Sequence, residues 1–348
     1  MSAIADLRSD TVTRPTAAMR AAMLAAPLGD DVFGDDPSVL ALQDKLAAML
    51  GFEAALFVSS GTQSNLCAIL SHCQRGDEYI VGQYAHCYRW EGGGAAVFGS
   101  VQPQPLAHQA DGTILLADIA EAIKPDDAHF ARTRLLALEN TLGGKLIPFD
   151  YIVQATDLAK AKGLQTHLDG ARLFNAATAQ ALQTGGTTQN EARRIAQCFD
   201  SVSVCLSKGL GAPVGSVLCG SRELIGRAHR IRKMAGGGMR QAGILAAAGS
   251  YALDHHVDRL ADDHLLARRL AEGLSDIAEL VVESPQSNIV FVDLTETAHV
   301  QSTELIAFLR ARQILTTGLY RLRFVTHLDI TAEHTERTIA AVHEFFDA

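Results

Sequence analysis

The 348 residues carry a formal net charge of −9, with 48% hydrophobic and 20% charged side chains. That balance excludes the basic face a nucleic-acid backbone needs, and no run reaches the roughly 18 apolar residues of a membrane span. The N-terminus MSAIADLRSD lacks a basic segment followed by an apolar core, so a cytoplasmic chain of about two domains is expected.

Six cysteines are widely spaced with no CxxC, which suggests reduced core thiols rather than a disulfide or metal framework, and no metal is expected. The stretch 6–16 is polar and ends at a proline, so it is expected as an extended arm. Asp36 followed by Pro37 marks a helix start, Leu42, Leu46 and Met49 keep helical spacing, and Gly51 stops it. Residues 54–58 are strand-like and lead through SSGTQSN into a second helical pattern. Such a strand, small-residue turn and helix points free N–H groups at one spot and suits a phosphate, with Gly61 and Thr62 as candidates.

A strand over 78–82 precedes His86, Tyr88, Trp90 and a glycine hinge at 92–94, and another helix ends near Pro125. Strands are expected at 134–140 and 164–172, separated by a helix over 149–163. The alternation from 54 to 208 implies a mostly parallel sheet covered on both faces, and ligands bind such sheets at the carboxyl ends of the strands. Asn140, Asp169, Arg172 and Lys208 fall at those ends. Helical patterns follow from 225 to 274, broken by GGGMRQ, then strand-like 281–282 and 289–294, a helix near 303–312, strand-like 322–330, and a terminal helix from Glu333. The organisation expected is an arm over 1–15, a large domain over 16–250 and a smaller C-terminal α+β domain over 251–348.

SVSVCLSKGLG, residues 201–211, is the centre of the reading, because a short strand delivers Lys208 directly into a glycine turn. An amine held there can attack carbonyls. A lysine at one strand end, an aspartate at another and a phosphate cradle upstream suit pyridoxal 5′-phosphate, which needs an imine-forming lysine, an acid beside its pyridine nitrogen and an anion site. A nicotinamide-dependent dehydrogenase is the competing class, since Gly209 and Gly211 follow a strand. Its fingerprint fails, because Pro213 lies inside the turn and 214–218 reads as strand where that motif requires a helix. A non-catalytic scaffold would be expected to have lost Lys208.

The chain resembles the low-specificity L-threonine aldolases of the β-eliminating lyase group. The likeness rests on DLRSDTVTRP, GDDVFGDDP, SGTQSN, YAHCY, HFARTRLLALENT, HLDGARLFNA, CLSKGLGAPVGS, RKMAGGGMRQAGILAAAG and RFVTHLD, in order and nearly end to end. The stretch 183–196 departs from it as an expected surface insertion, and Trp90 replaces a smaller ring. The resemblance implies a fold like that of aspartate aminotransferase, with a mostly parallel seven-stranded sheet and a smaller α+β domain. It also implies cleavage of L-threonine, L-allo-threonine and other β-hydroxy-α-amino acids to glycine and an aldehyde. The alternative is another lyase or an aminotransferase with the same cofactor.

By the same resemblance Lys208 is the imine-forming lysine, Asp169 the partner of the pyridinium nitrogen, and His86 the ring that stacks on the cofactor, with Gly61 and Thr62 on its phosphate. Ser9, Arg172 and Arg323 would bind the substrate carboxylate, for which a guanidinium fork is well shaped. The base is His86 or His129. GGGMRQ is expected at a contact of a homotetramer built from dimers, with Arg240 reaching a neighbouring cofactor site.

Overall fold

The computed structural model describes residues 4–296, 302–318 and 321–347. In chain order, β1 (Ala5–Asp6) and a single 3-10 turn (Asp10–Val12) precede α1 (Ala17–Leu24) and α2 (Pro37–Leu50). Then come β2 (Ala54–Val58), α3 (Gly61–His72), β3 (Asp77–Gly82), the short α4 (His86–Arg89) and α5 (Gly94–Gly99), and β4 (Gln102–Leu106). The chain continues through α6 (Leu116–Ala122), β5 (Arg132–Glu139), α7 (Phe149–Ala161), β6 (Gln165–Gly170), α8 (Leu173–Thr184), α9 (Thr188–Ala196), β7 (Ser201–Cys205) and β8 (Ser216–Gly220). Three helices follow: α10 (Arg222–Met234), α11 (Gly243–His255) and α12 (Leu260–Leu274). Last are β9 (Leu280–Val282), β10 (Ile289–Leu294), α13 (Ser302–Ala311), β11 (Ile314–Leu315), β12 (Leu322–Val325) and α14 (Ala332–Phe346).

Seven strands form one sheet in the order β2-β8-β7-β6-β5-β3-β4. β8 runs antiparallel to both its neighbours and the other pairings are parallel. β7 and β8 are buried at every position, as strands covered on both faces should be. On β7 a one-residue slip would turn Val202 and Val204 toward the face where Ser201 and Ser203 bond His72, His167 and Ser64, so the register is specified by chemistry rather than by burial alone. A β8 strand where a dinucleotide motif needs a helix removes the dehydrogenase reading.

The start of α2 is held as its sequence dictates. Asp36 accepts from the N–H groups of Ser38 and Val39, and Gly51 closes the helix at φ +80°. Two expectations change here. The stretch 183–196 is not a loose surface insertion: α9 starts at the Thr187 cap and buries Ala192, Ile195 and Ala196 in the principal core. The strand expected over 322–330 ends at Val325, because Thr326 donates its N–H to Asn288 O and the chain then turns, with Ile330 N–H on His327 O.

A second apolar cluster joins α12, α14, β10 and β12 and includes Ala5 and Leu7 from the chain start. β12, β10 and β9 make a small antiparallel sheet, and β1 pairs in parallel with β11. The N-terminal arm therefore crosses to the C-terminal unit. It is not extended throughout, since Ser9 Oγ accepts from Thr11 N–H and caps the 3-10 turn at Asp10–Val12. All six cysteines are free, and five of them are buried.

Candidate active site

Three strand ends and the arm meet on one side of the sheet. β6 carries Asp169, and β7 lies beside it in register with Asp169 opposite Ser203. Lys208 follows β7 in a turn closed by Gly211 N–H on Lys208 O at 2.9 Å, with Gly211 at φ +78°, a conformation glycine adopts without strain. Thr13 Oγ1 donates to the Lys208 carbonyl at 3.0 Å, so the arm braces the turn that carries the amine.

Asp169 is 3% exposed and does not stand alone. Its Oδ2 accepts from Asn65 Nδ2 at 2.8 Å and its Oδ1 from Ala171 N–H at 3.1 Å. The Asn65 amide also donates to Glu91 Oε1 at 2.9 Å, and His86 Nδ1 lies 2.8 Å from the same oxygen. A ligand-type atom from each of His86, Glu91 and Asp169 thus lies within 4.8 Å of the others. The hydrogen bond to Glu91 is the main cause that raises the His86 pKa, and burial is the main cause that raises that of Glu91. Across the strand end, Glu139 Oε2 accepts from the His86 backbone N–H at 2.6 Å; burial, then the Asp169 charge, push Glu139 up to about 7.

Behind Asp169 the Asn65 Oδ1 meets His167 Nε2 at 3.2 Å, and Ser201 Oγ lies within 2.8 Å of His167 Nδ1 and 2.7 Å of His72 Nε2. Desolvation lowers His167 to about 3 and His72 to about 4, so both rings are neutral and fix the amide that holds the aspartate.

Arg172 makes a paired contact with Asp10, Nε to Oδ2 at 2.8 Å and Nη2 to Oδ1 at 2.7 Å. Burial opposes the ionised Asp10, but Arg172 and then Lys208 outweigh it, and the carboxyl is held far below the ordinary range. The paired contact leaves Nη1 of Arg172 for another anion. Arg323 donates Nη2–H to Arg8 O at 2.9 Å, while its buried Nε has no partner among the described residues. Burial and the Arg172 charge lower the Arg323 pKa. Both guanidiniums, with His86, Glu139, Tyr84, Trp90 and Phe291, line a cleft of about 500 Å³.

Gly61 and Thr62 open α3, whose Ser60 cap accepts only the Gln63 N–H, so the first helical N–H groups face outward. Beside them Ser216 Oγ is buried without a partner among the described residues, 3.6 Å from where a Cβ on Gly61 would stand. A glycine that admits close approach, an orphaned hydroxyl and a helix N-terminus form an anion cradle that fits a phosphate.

Not every expected residue arrives here. His129 sits on an exposed loop, its side chain 87% exposed and its Nδ1 2.6 Å from Asp127; the single chain does not bring it to the cleft. Arg240 is paired with Asp30 at 3.0 Å and also stands outside the cleft lining. Ser9 serves as the 3-10 cap next to the buried Asp10. Asp10, Asn65, Glu91 and Glu139 were not singled out by sequence reasoning. Asn65 closes SGTQSN at a helix start and Glu139 is the last residue of β5, one position before Asn140, which was the available signal.

A mostly parallel sheet with one reversed strand, a lysine turn after β7 and an acid on β6 define the aspartate-aminotransferase-like class of α/β enzymes. A solved threonine aldolase from Leishmania major shares this fold, with a TM-score of 0.82 at 22% identity over 98% of this chain and 99% of that one. The family model described as "Beta-eliminating lyase" matches residues 6–297. The low specificity L-threonine aldolase of Escherichia coli K12 is 52% identical over 96% of this chain and 97% of its own. A probable low-specificity L-threonine aldolase 2 from Arabidopsis thaliana is 42% identical over 98% and 97%. The chain belongs to the low-specificity L-threonine aldolases of the beta-eliminating lyase family. No described helix is long and apolar enough to cross a membrane.

Proposed function

We propose that the chain cleaves L-threonine, L-allo-threonine and other β-hydroxy-α-amino acids between Cα and Cβ, giving glycine and an aldehyde, with pyridoxal 5′-phosphate held beside Lys208. The observation that carries this reading is the buried Asp169, fixed by Asn65 at 2.8 Å, in the strand next to the one that leads to Lys208. Asp169 would face the pyridine nitrogen, His86 would lie against the ring, and Gly61, Thr62 and the unpartnered Ser216 hydroxyl would hold the phosphate. When bound, the cofactor supplies a ring that draws electrons from the α-carbon of an amino acid.

The chain's own residues do the rest. Arg172 Nη1 and Arg323 clamp the substrate carboxylate, with Ser9 beside them, and so set which bond at Cα is aligned for cleavage. Because His86 Nδ1–H donates to Glu91 at 2.8 Å, the lone pair of the neutral ring is on Nε2, the atom able to take the proton of the β-hydroxyl. His86 rather than His129 is the base that a single chain supplies. Glu139, titrating near 7 at the same cleft, can hold a proton during turnover. Trp90 and Phe291 line the side where the β-substituent would lie.

We also read the protein as a cytoplasmic homotetramer built from dimers, with the arm 1–15, a large unit over 16–250 and a small one over 251–348. Incubation with threonine tests the reaction. Equimolar glycine and acetaldehyde are expected; 2-oxobutanoate with ammonia would instead mark β-elimination, and oxoacid-dependent amino exchange a transaminase.

A further inference from the structure

A second cavity of about 620 Å³, sharing no lining residue with the catalytic cleft, lies between α8, α9, α12 and the start of α7. Its wall combines charge with apolar area: Arg194, stacked at 3.8 Å on the Phe149 ring, Leu182, Arg268 and the buried His264, with Asp150 at one side. His264 and Arg268 are four residues apart on α12 and so share one face.

Two features of that face point to a ligand. His264 is 1% exposed, and the Asn175 amide lies 3.2 Å from its Nε2. The amide donates, so the neutral ring carries its proton on Nδ1, a buried donor with no partner among the described residues. Arg268 makes no ion pair or hydrogen bond among the described residues, while Arg194 is only partly occupied by Glu191 at 2.9 Å.

We propose that this cavity is a second ligand site, which takes a small organic carboxylate. The oxyanion sits against Arg268 and the His264 Nδ1–H, and the carbon skeleton against Leu182 and Phe149. Inorganic phosphate shares the charge but leaves the apolar wall unfilled. Asn175, held by the other nitrogen of His264, lies 3.6 Å from where a Cβ of Gly209 would stand, so the cavity wall backs onto the turn that carries Lys208.

Calorimetric titration of succinate into holoenzyme saturated with glycine tests the site while the substrate pocket is filled. One saturable succinate site per chain is expected, weakened about tenfold or more in Arg268→Ala and in Arg268→Gln. Arg193→Ala, which removes an equal charge from the same helix as Arg194 but outside the cavity, should bind succinate as the parent does. Phosphate should bind more weakly than succinate. No saturable binding, equal binding by folded Arg268 variants, or tighter binding of phosphate would each overturn the assignment. The readout is heat, so the outcome is separate from that of the threonine assay.

Discussion

His86 illustrates how one contact sets a chemical property. Its Nδ1 partner Glu91 is buried and shared with Asn65, so the imidazolium is favoured and the ring pKa is raised. A base works unprotonated, so cleavage should fall as pH drops through that raised value. Glu91→Gln removes the charged acceptor; the acidic limb of the kcat/KM profile should then move to lower pH, with the basic limb unchanged. An unmoved acidic limb would separate Glu91 from the base. Asn65, Glu91 and Asp10 were hard to read because a polar residue in a motif does not reveal its partner. Asn65 reaches Asp169 across 104 positions, and Arg172 reaches Asp10 across 162. Lys208 and Asp169 were legible because a strand and its turn are local.

Elements were legible where caps and periodicity agreed. α2 begins where Asp36 and Pro37 said it would, yet Asp36 does more than cap. Its Oδ2 also accepts from Gly29 N–H at 3.2 Å and Gly243 N–H at 2.9 Å, so one fully buried carboxylate joins α2, the loop before it and the start of α11. Asp36→Ala should cost more than the ordinary cap loss of about 1 kcal/mol, because four N–H groups lose their acceptor. Chemical denaturation measures this; a loss under about 0.5 kcal/mol would show that water replaces the carboxylate. Glycine serves the same junction, since a Cβ on Gly243 would stand 2.3 Å from Asp36 Oδ1. The helix α9 was missed for the opposite reason. Its polar sequence outweighs the narrow stripe Ala192, Ile195 and Ala196 that packs inward.

At the scale of the molecule the arm links the two cores to the site. β1 pairs with β11, Leu7 is buried in the C-terminal cluster, Thr13 holds the Lys208 carbonyl, and Asp10 holds Arg172. The depressed Asp10 carboxyl adds stability above its unfolded pKa of about 3.9 and loses it only as pH falls through the far lower folded value. Asp10→Asn should cost about 3–5 kcal/mol near neutrality, since it leaves Arg172 buried without its counter-charge, and should raise KM as the guanidinium loses its aim. Unchanged stability and KM would place the pair outside both roles. The parallel sheet was legible as an alternation, but its order was not, because pairing β2 with β8 and crossing the arm to β11 are decided by burial across the whole chain.

The most direct test of the catalytic assignment is covalent. Borohydride reduction of the pyridoxal phosphate-loaded enzyme, followed by peptide mapping, should place a single pyridoxyl group on Lys208, with none in Lys208→Ala. A label on any other lysine, or no label in the loaded enzyme, would contradict the account.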